Sequence, residues 1–483
     1  MSNFVHTYDQ AIEFLLGRIN YERVTGIAFS SDDQKLSRMR RLLEQTGNPH
    51  EGLKVIHIAG TKGKGSTSAM AASILTAAGQ KTGLFTSPHV SAFEERMVVD
   101  GASPSPGHLV DLVNRLIEPI EHMDRAPEGP GPTYFELATA IAWLYFRDCA
   151  VDLAVLEVGL GGRLDATNVC EPHVSVITNI SRDHTNVLGN STAEIAREKA
   201  GIVKAGVPVI SGVDSGPAGD VIEAVCLRHQ SPLYRLGREL LWRPHRNDDS
   251  IADDPNDGTA GRGIDVDTPW GKWAGLRVPL LGHHQSDNAA LAVAAATLLR
   301  QEGLRIPDAA VARGLSEVRW PARIEVLGTR PTIVVDAAHN WAATAALLRT
   351  IQHDFPGVSR KILIFAATRD KDVAGMLRQL LPGFDSVVLT QYHTNPRGVP
   401  INELAAMVQA TAGYVCHVAT DAAAAWSLAS RLATNEDLIC VTGSFFVAAE
   451  LRKLILDGSE RQTLDRSQQS ATVYSEQPSH APL

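Results

Sequence analysis

The sequence predicts an α/β fold, a larger parallel-sheet domain followed by a smaller α/β domain. Three observations carry that reading. Short runs rich in Val and Ile alternate with helix-length segments, the pattern of parallel strands covered by helices on both faces. The runs fall into two groups with an interruption between them. The first run leads directly into a glycine-rich turn that opens a helical pattern.

A chain of 483 residues has room for two or three domains at roughly 150 residues each. Hydrophobic residues at 44% and charged residues at 20% exclude a disordered, collagen-like or coiled-coil chain. The net charge of −9 provides no overall field to hold a nucleic-acid backbone or an anionic membrane, so neither is expected as a partner. No apolar run approaches the 18 or so residues of a membrane span. The best, 137 to 146, ends at Arg147 and Asp148. Asp9 and Glu13 fall where a signal peptide would be apolar. Cys149, Cys170, Cys226, Cys416 and Cys440 are scattered with no C-x-x-C pair, which predicts reduced thiols and a cytoplasmic protein.

In order along the chain, strands are expected at Lys54 to Ala59, Thr82 to Thr86, Leu153 to Val158 and Val174 to Ile180. The segment 243–270 is rich in Asp, Asn and Gly, and reads as a solvated surface insertion. Ser286 to Leu299 reads as a helix, and Gly314 to Leu327 as a crossover that ends the first domain (1–314). The second domain (315–458) has strands at Thr332 to Val335, Lys361 to Phe365, Ser386 to Leu389 and Leu438 to Val441. Residues 459–483 are polar without apolar periodicity and read as a disordered tail.

The turn after the first strand reads Gly60-Thr61-Lys62-Gly63-Lys64-Gly65-Ser66. A strand, a glycine turn and a helix N-terminus place backbone N–H groups and a positive helix end around an anion, with Lys64 in reach of terminal phosphates. The pattern departs from G-x-x-x-x-G-K-[ST]: Gly65 occupies the hydroxyl position, and Ser66 stands one place later. A nucleoside triphosphate site follows, which by itself does not choose among kinase, GTPase and ligase.

Polar groups stand at the exits of other strands of the first group: Ser87 and His89, Glu157, then Asp183 and His184. Ligands of open parallel sheets bind beyond the carboxyl ends of the strands, so these groups should share the crevice of the phosphate loop. Oxygen donors beside a triphosphate suit Mg²⁺. Glu157 ends a wholly apolar strand, where a carboxylate is costly without a cation or donors. His184 taken alone is equally compatible with a hydrogen-bonded structural role. Lys199 in AREKAG reads from pattern alone as a solvated helix lysine.

The motifs GTKGKGS, SPHVSAFEERMVVDG, TYFELAT, LEVGLGGRLDATN, SRDHTNVLG, REKAGI, HHQSDNAALA, DAAHN, RDKD and TGSF occur in an order that resembles folylpolyglutamate synthases and dihydrofolate synthases of the Mur-ligase superfamily. The resemblance runs from about residue 5 to 455 and implies a P-loop central domain followed by a Rossmann-like C-terminal domain. It implies that Gly60, Thr61, Gly63, Lys64, Gly65 and Ser66 hold ATP, together with Asn288, Arg323, Asp336 and His339, so that ATP is clamped between the domains. Ser87, Glu157 and His184 match Mg²⁺ ligands. Lys199 matches a lysine carboxylated by CO₂ that helps to hold a second Mg²⁺. Phe135, Asp165 and Ala166 match the dihydropteroate pocket, although Phe135 alone would read as core packing. Departures from the commoner motifs are Lys62, Trp341 after DAAHN, WPAR at 320 to 323, and Phe446.

The implied activity is ATP- and Mg²⁺-dependent addition of L-glutamate to dihydropteroate, to reduced folates, or to both, through an acyl phosphate. Lys64, His184 and Lys199 are the expected catalytic groups, and the enzyme is expected to be a monomer. A Mur-type ligase for a UDP-sugar precursor would need an additional N-terminal domain, and only about 50 residues precede the phosphate loop. A kinase or other P-loop nucleotide hydrolase without ligase activity would leave the second domain unexplained.

Overall fold

The computed structural model describes residues 4–20, 32–127, 131–245, 261–392, 395–412 and 416–458. The chain divides into two compact units, Met1–Trp320 and Pro321–Leu483. The helix Asp308–Glu317 runs through residue 315, so the boundary expected there falls inside a helix and the units part after Trp320 instead.

The first unit is built on a seven-stranded sheet. Its strands are β1 (Lys54–Ala59), β2 (Thr82–Phe85), β3 (Met97–Val99), β4 (Leu153–Glu157), β5 (Val174–Ile177), β6 (Val209–Ser211) and β7 (Leu233–Arg235), in the order β3-β2-β4-β1-β5-β6-β7. All neighbours are parallel except β3, which pairs antiparallel with β2. The central strands are buried on both faces, which is why they read as continuous apolar runs. Ile56 and Ile58 join a core with the helices Lys64–Ala77 and His284–Leu298. Val55 faces the other way, into a core with Pro106–Arg125 and Tyr134–Asp148. The apolar run 137–146 lies in the last of these helices, and no helix of the described residues is long and apolar enough to cross a membrane.

The expected solvated insertion at 243–270 needs correction. An antiparallel sheet of β8 (Leu241–Pro244), β9 (Arg262–Thr268) and β10 (Gly271–Val278), in the order β10-β9-β8, occupies its flanks. Ile264, Val266, Trp273, Leu276 and Val278 are buried in the core with the helices Lys64–Ala77 and His284–Leu298. Ile264 and Val266 share one face by alternation, and Asp265 between them is also buried, where it accepts from Arg243 Nε and Gly275 N and pairs with His245. Residues 246–260 of that segment, and the expected tail at 459–483, lie outside the described residues.

The second unit has a six-stranded sheet of β11 (Glu325–Thr329), β12 (Thr332–Val335), β13 (Lys361–Phe365), β14 (Ser386–Leu389), β15 (Cys416–Val418) and β16 (Leu438–Thr442). The order is β11-β12-β16-β13-β14-β15, parallel except for the β11–β12 hairpin. The five cysteines are unpaired, as the sequence predicts.

Candidate active site

The carboxyl ends of β2, β4, β1 and β5 lie side by side, and each continues into a polar group of the site. The loop after β1 is moulded by the segment after β5. Thr61 N donates to Asn179 O at 2.9 Å, Lys62 N to Asn179 Oδ1 at 2.8 Å, and Thr178 Oγ1 to Lys62 O at 2.6 Å. Gly63 caps the helix Lys64–Ala77 at φ 82°, a conformation that favours glycine, and a Cβ there would collide with the Asn288 amide. Asn288 is in turn held by Gln285, to whose Oε1 its Nδ2 donates at 2.9 Å. The helix therefore opens without a side-chain cap and with no acidic residue in its first turn, an arrangement that favours an anion.

Lys64 and Glu157 meet at the mouth of this loop. Lys64 Nζ lies 3.8 Å from Glu157 Oε1, and Ser87 N donates to Glu157 Oε2 at 3.2 Å. Glu157 is 4% exposed. A carboxylate and an ammonium thus meet beside the phosphate loop, with Ser87 tied to the carboxylate through its backbone N–H, and the oxygen donors that Glu157 and Ser87 carry are of the kind that suits a hard cation keeping several waters. Among the described residues no cluster of three or more His, Cys, Asp or Glu forms an all-protein metal cage.

Lys199 ends the helix Thr192–Lys199 and is buried, not solvated as its pattern alone reads. Its Nζ donates to Gly60 O at 2.8 Å. Burial, assisted by the charge of Lys64, pushes its ammonium down to about 7. His184 adopts the left-handed conformation (φ 50°), its N–H donates to Asp183 Oδ1 at 3.0 Å, and its imidazole is half exposed. Lys62, one of the departures in the sequence, forms an ion pair with Asp183 at 2.7 Å.

A second cluster adjoins the first through the segment after β4. The ring of Phe135 packs so closely on Gly159 that a Cβ there would overlap it, and stands 6.0 Å from the ring of Phe85. Asp165 is directed into its own loop: it accepts from Leu160 N at 2.9 Å, Thr167 N at 3.0 Å and Thr167 Oγ1 at 2.5 Å. Burial pushes its carboxyl above the usual range, against those hydrogen bonds. Ala166 begins the buried turn Ala166–Val169. Sequence reasoning missed the residue beneath this turn. His57 on β1 is fully buried, with Nε2 2.8 Å from Thr167 Oγ1. Because Thr167 gives its proton to Asp165, His57 donates from Nε2, and its Nδ1 has no partner. Burial lowers its imidazolium to about 3, so the ring is neutral.

In the second unit Asp336 follows β12 and accepts from Ile324 N and Ala338 N, both at 2.9 Å. Burial raises its carboxyl, opposed by the charge of Arg323. His339 Nδ1 donates to Ala337 O at 2.9 Å. Trp341 is 58% exposed at the start of the helix Trp341–Asp354, and the Phe446 ring lies 5.3 Å from that of Tyr392.

A parallel-sheet unit with this loop, followed by a second α/β unit, defines a Mur-type ligase. The Mur ligase middle domain family matches residues 135–296, and the Mur ligase glutamate ligase domain family matches 322–445. The dihydrofolate synthase/folylpolyglutamate synthase of Bacillus subtilis is 36% identical over 375 residues, covering 77% of this chain and 82% of the relative. The folylpolyglutamate synthase of Lacticaseibacillus casei is 33% identical over 426 residues, covering 87% and 94%. A crystal structure of Mycobacterium tuberculosis folylpolyglutamate synthase complexed with ADP and AMPPCP superposes with a TM-score of 0.81 at 31% identity, covering 93% of this chain and 98% of that one. The chain belongs to the folylpolyglutamate synthase/dihydrofolate synthase family.

Proposed function

We infer that the protein is an ATP-dependent ligase of folate metabolism that adds L-glutamate to dihydropteroate and to reduced folates. The observation that carries the reading is the junction of the phosphate loop with Glu157: Lys64 at the helix N-terminus, 3.8 Å from a buried carboxylate that also accepts from Ser87 N. Such a site binds and orients a polyphosphate while keeping its charge balanced.

A carboxylate is a poor acyl donor, so the acceptor must first be activated. One of its carboxylate oxygens attacks the γ-phosphorus of ATP, and the bond from that phosphorus to the β,γ-bridging oxygen breaks to release ADP. The glutamate amine then attacks the acyl carbon, phosphate departs with the oxygen that had been the acceptor's, and the amine loses a proton. Lys64 and the N–H groups of the helix Lys64–Ala77 draw charge from the transferring phosphoryl group. Gly60, Thr61, Gly63, Gly65, Ser66 and Asn288 shape the nucleotide site, and Arg323, Asp336 and His339 are proposed as further nucleotide contacts. Phe135 supplies an apolar face for the pterin-bearing acceptor, while Asp165 and Ala166 shape its loop.

Ser87, Glu157 and His184 are proposed to hold Mg²⁺, whose chemistry there is the neutralisation of phosphate charge. Lys199 is proposed to react with CO₂: its Nζ bonds to the carbon, a proton leaves, and the resulting carbamate helps to hold a second Mg²⁺. A buried amine with its ammonium near 7 supports this, because the neutral amine is the nucleophile. The unpaired thiols support a reducing, cytoplasmic setting.

The test is isotopic. Dihydropteroate labelled with ¹⁸O in its carboxylate, turned over with ATP and glutamate, is expected to pass one label to each phosphate released. Unlabelled phosphate accompanying amide formation would exclude the acyl phosphate.

A further inference from the structure

Two of the glycines in the phosphate loop, Gly60 and Gly63, have positive φ, at 155° and 82°. Gly65 does not: it lies in the helix Lys64–Ala77, where alanine is the better residue by about 1 kcal/mol. Backbone conformation therefore gives no reason for glycine there, and the usual phosphate-loop pattern has a hydroxyl residue at that place. Space gives the reason. A Cβ on Gly65 would stand 2.9 Å from Cζ2 and 3.3 Å from Cε2 of the Trp320 indole, with Glu157 Oε2 also at 3.3 Å.

Trp320 is the last residue of the first unit and packs against the core that includes residues of the helices Lys64–Ala77 and His284–Leu298. The indole is partly buried against that core, and the atoms that meet Gly65 belong to its fused ring, not to the far end of a flexible chain. Its Nε1 is buried without a protein hydrogen-bond partner, and the contacts that locate the ring are those with this core and with Gly65.

We propose that Trp320 is a positioning residue of the ATP site: its indole lies on Gly65, fixes the first turn of the helix, and thereby sets Lys64 against Glu157. The inference rests on the reading of the Gly60–Ser66 loop as the ATP site. Gly65 and Trp320 are then a matched pair, each tolerable because of the other.

A double-mutant cycle tests the pairing in the full chain, with binding of a fluorescent ATP analogue and the separate KM values for ATP and dihydropteroate as readouts. Gly65→Ala alone is expected to weaken nucleotide binding by about tenfold or more, and Trp320→Leu alone by about threefold, with KM for dihydropteroate unchanged. In the Trp320→Leu background, adding Gly65→Ala is expected to cost less than about twofold. Trp320→Ala provides the same cycle with still more room beside Gly65. An equal penalty for Gly65→Ala in both backgrounds, a harmless Gly65→Ala, or a Trp320→Leu enzyme in which both KM values rise together would overturn the proposal. Wild-type protein that binds no nucleotide would instead overturn the ATP-site reading, and this inference with it.

Discussion

Lys199 and His57 are both buried bases, and their partners give them different work. Lys199 reaches the carbonyl of Gly60 in the phosphate loop, and burial brings its ammonium down to about 7. If Lys199 carries the proposed carbamate, Lys199→Ala is expected to lower turnover by at least about a hundredfold, with partial recovery when short carboxylates such as acetate are added. Activity near wild type without such additives, measured as phosphate release, would dismiss the carbamate. His57 touches no substrate in this account. The unfolded chain takes up its proton below pH 6.5, the folded protein only near pH 3, so its contribution is complete above pH 6.5 and declines as pH falls. Relative to His57→Asn, wild type should lose about 1.4 kcal/mol of stability per pH unit between pH 6 and 3.5. Urea titrations at several pH values would measure the difference, and a constant difference would mean that His57 does not stay neutral.

The start of the helix Tyr134–Asp148 shows how an element aims a side chain. Thr133 and Glu136 form a capping box, and Arg38 donates to both Glu136 oxygens at 3.0 and 2.9 Å. The pair is almost wholly buried, so removing one member strands the other charge. Arg38→Ala is expected to cost about 3 to 5 kcal/mol in urea unfolding, and to raise KM for dihydropteroate more than KM for ATP, because Phe135 rides on that turn. Unchanged stability would show that the charges are solvated.

Legibility in the sequence followed from how each element earns its burial. β1, β13 and β14 are largely buried runs and β12 is buried in its second half, and their expected bounds coincide with those observed. β3, β6, β7 and β15 have three residues each, too few for periodicity to register. β9 was hidden by Asp265 and Asp267, which interrupt Ile264 and Val266 and give the segment the composition of a loop. The strand-end groups Glu157 and Ser87 were legible because charge or hydroxyl followed an apolar run. His57 and Arg38 carried no such signal, one inside a strand and the other in a polar helix, while Trp320 stood out only as part of the WPAR departure, and tertiary contacts show what each one touches. Asp165 came only from the family resemblance, as a candidate for the acceptor pocket, and its hydrogen bonds into its own loop carried no signal in the sequence.

At the scale of the whole molecule, the ends of four adjacent strands gather the phosphate loop, Ser87, Glu157 and the Asp183–His184 turn in the first unit, while the second unit sets Arg323 beside the buried Asp336. A nucleotide hydrolase would need only the first of these. A ligase must activate one substrate and deliver another, which is the reading that employs both units. The most direct test is to supply the purified protein with Mg·ATP and L-glutamate, offer 7,8-dihydropteroate or tetrahydrofolate, and follow phosphate release together with product mass. The account predicts glutamate-dependent phosphate release with both acceptors, each product heavier by one glutamyl unit. Phosphate release indifferent to glutamate, or no amide product from either acceptor while ATP still binds, would contradict it.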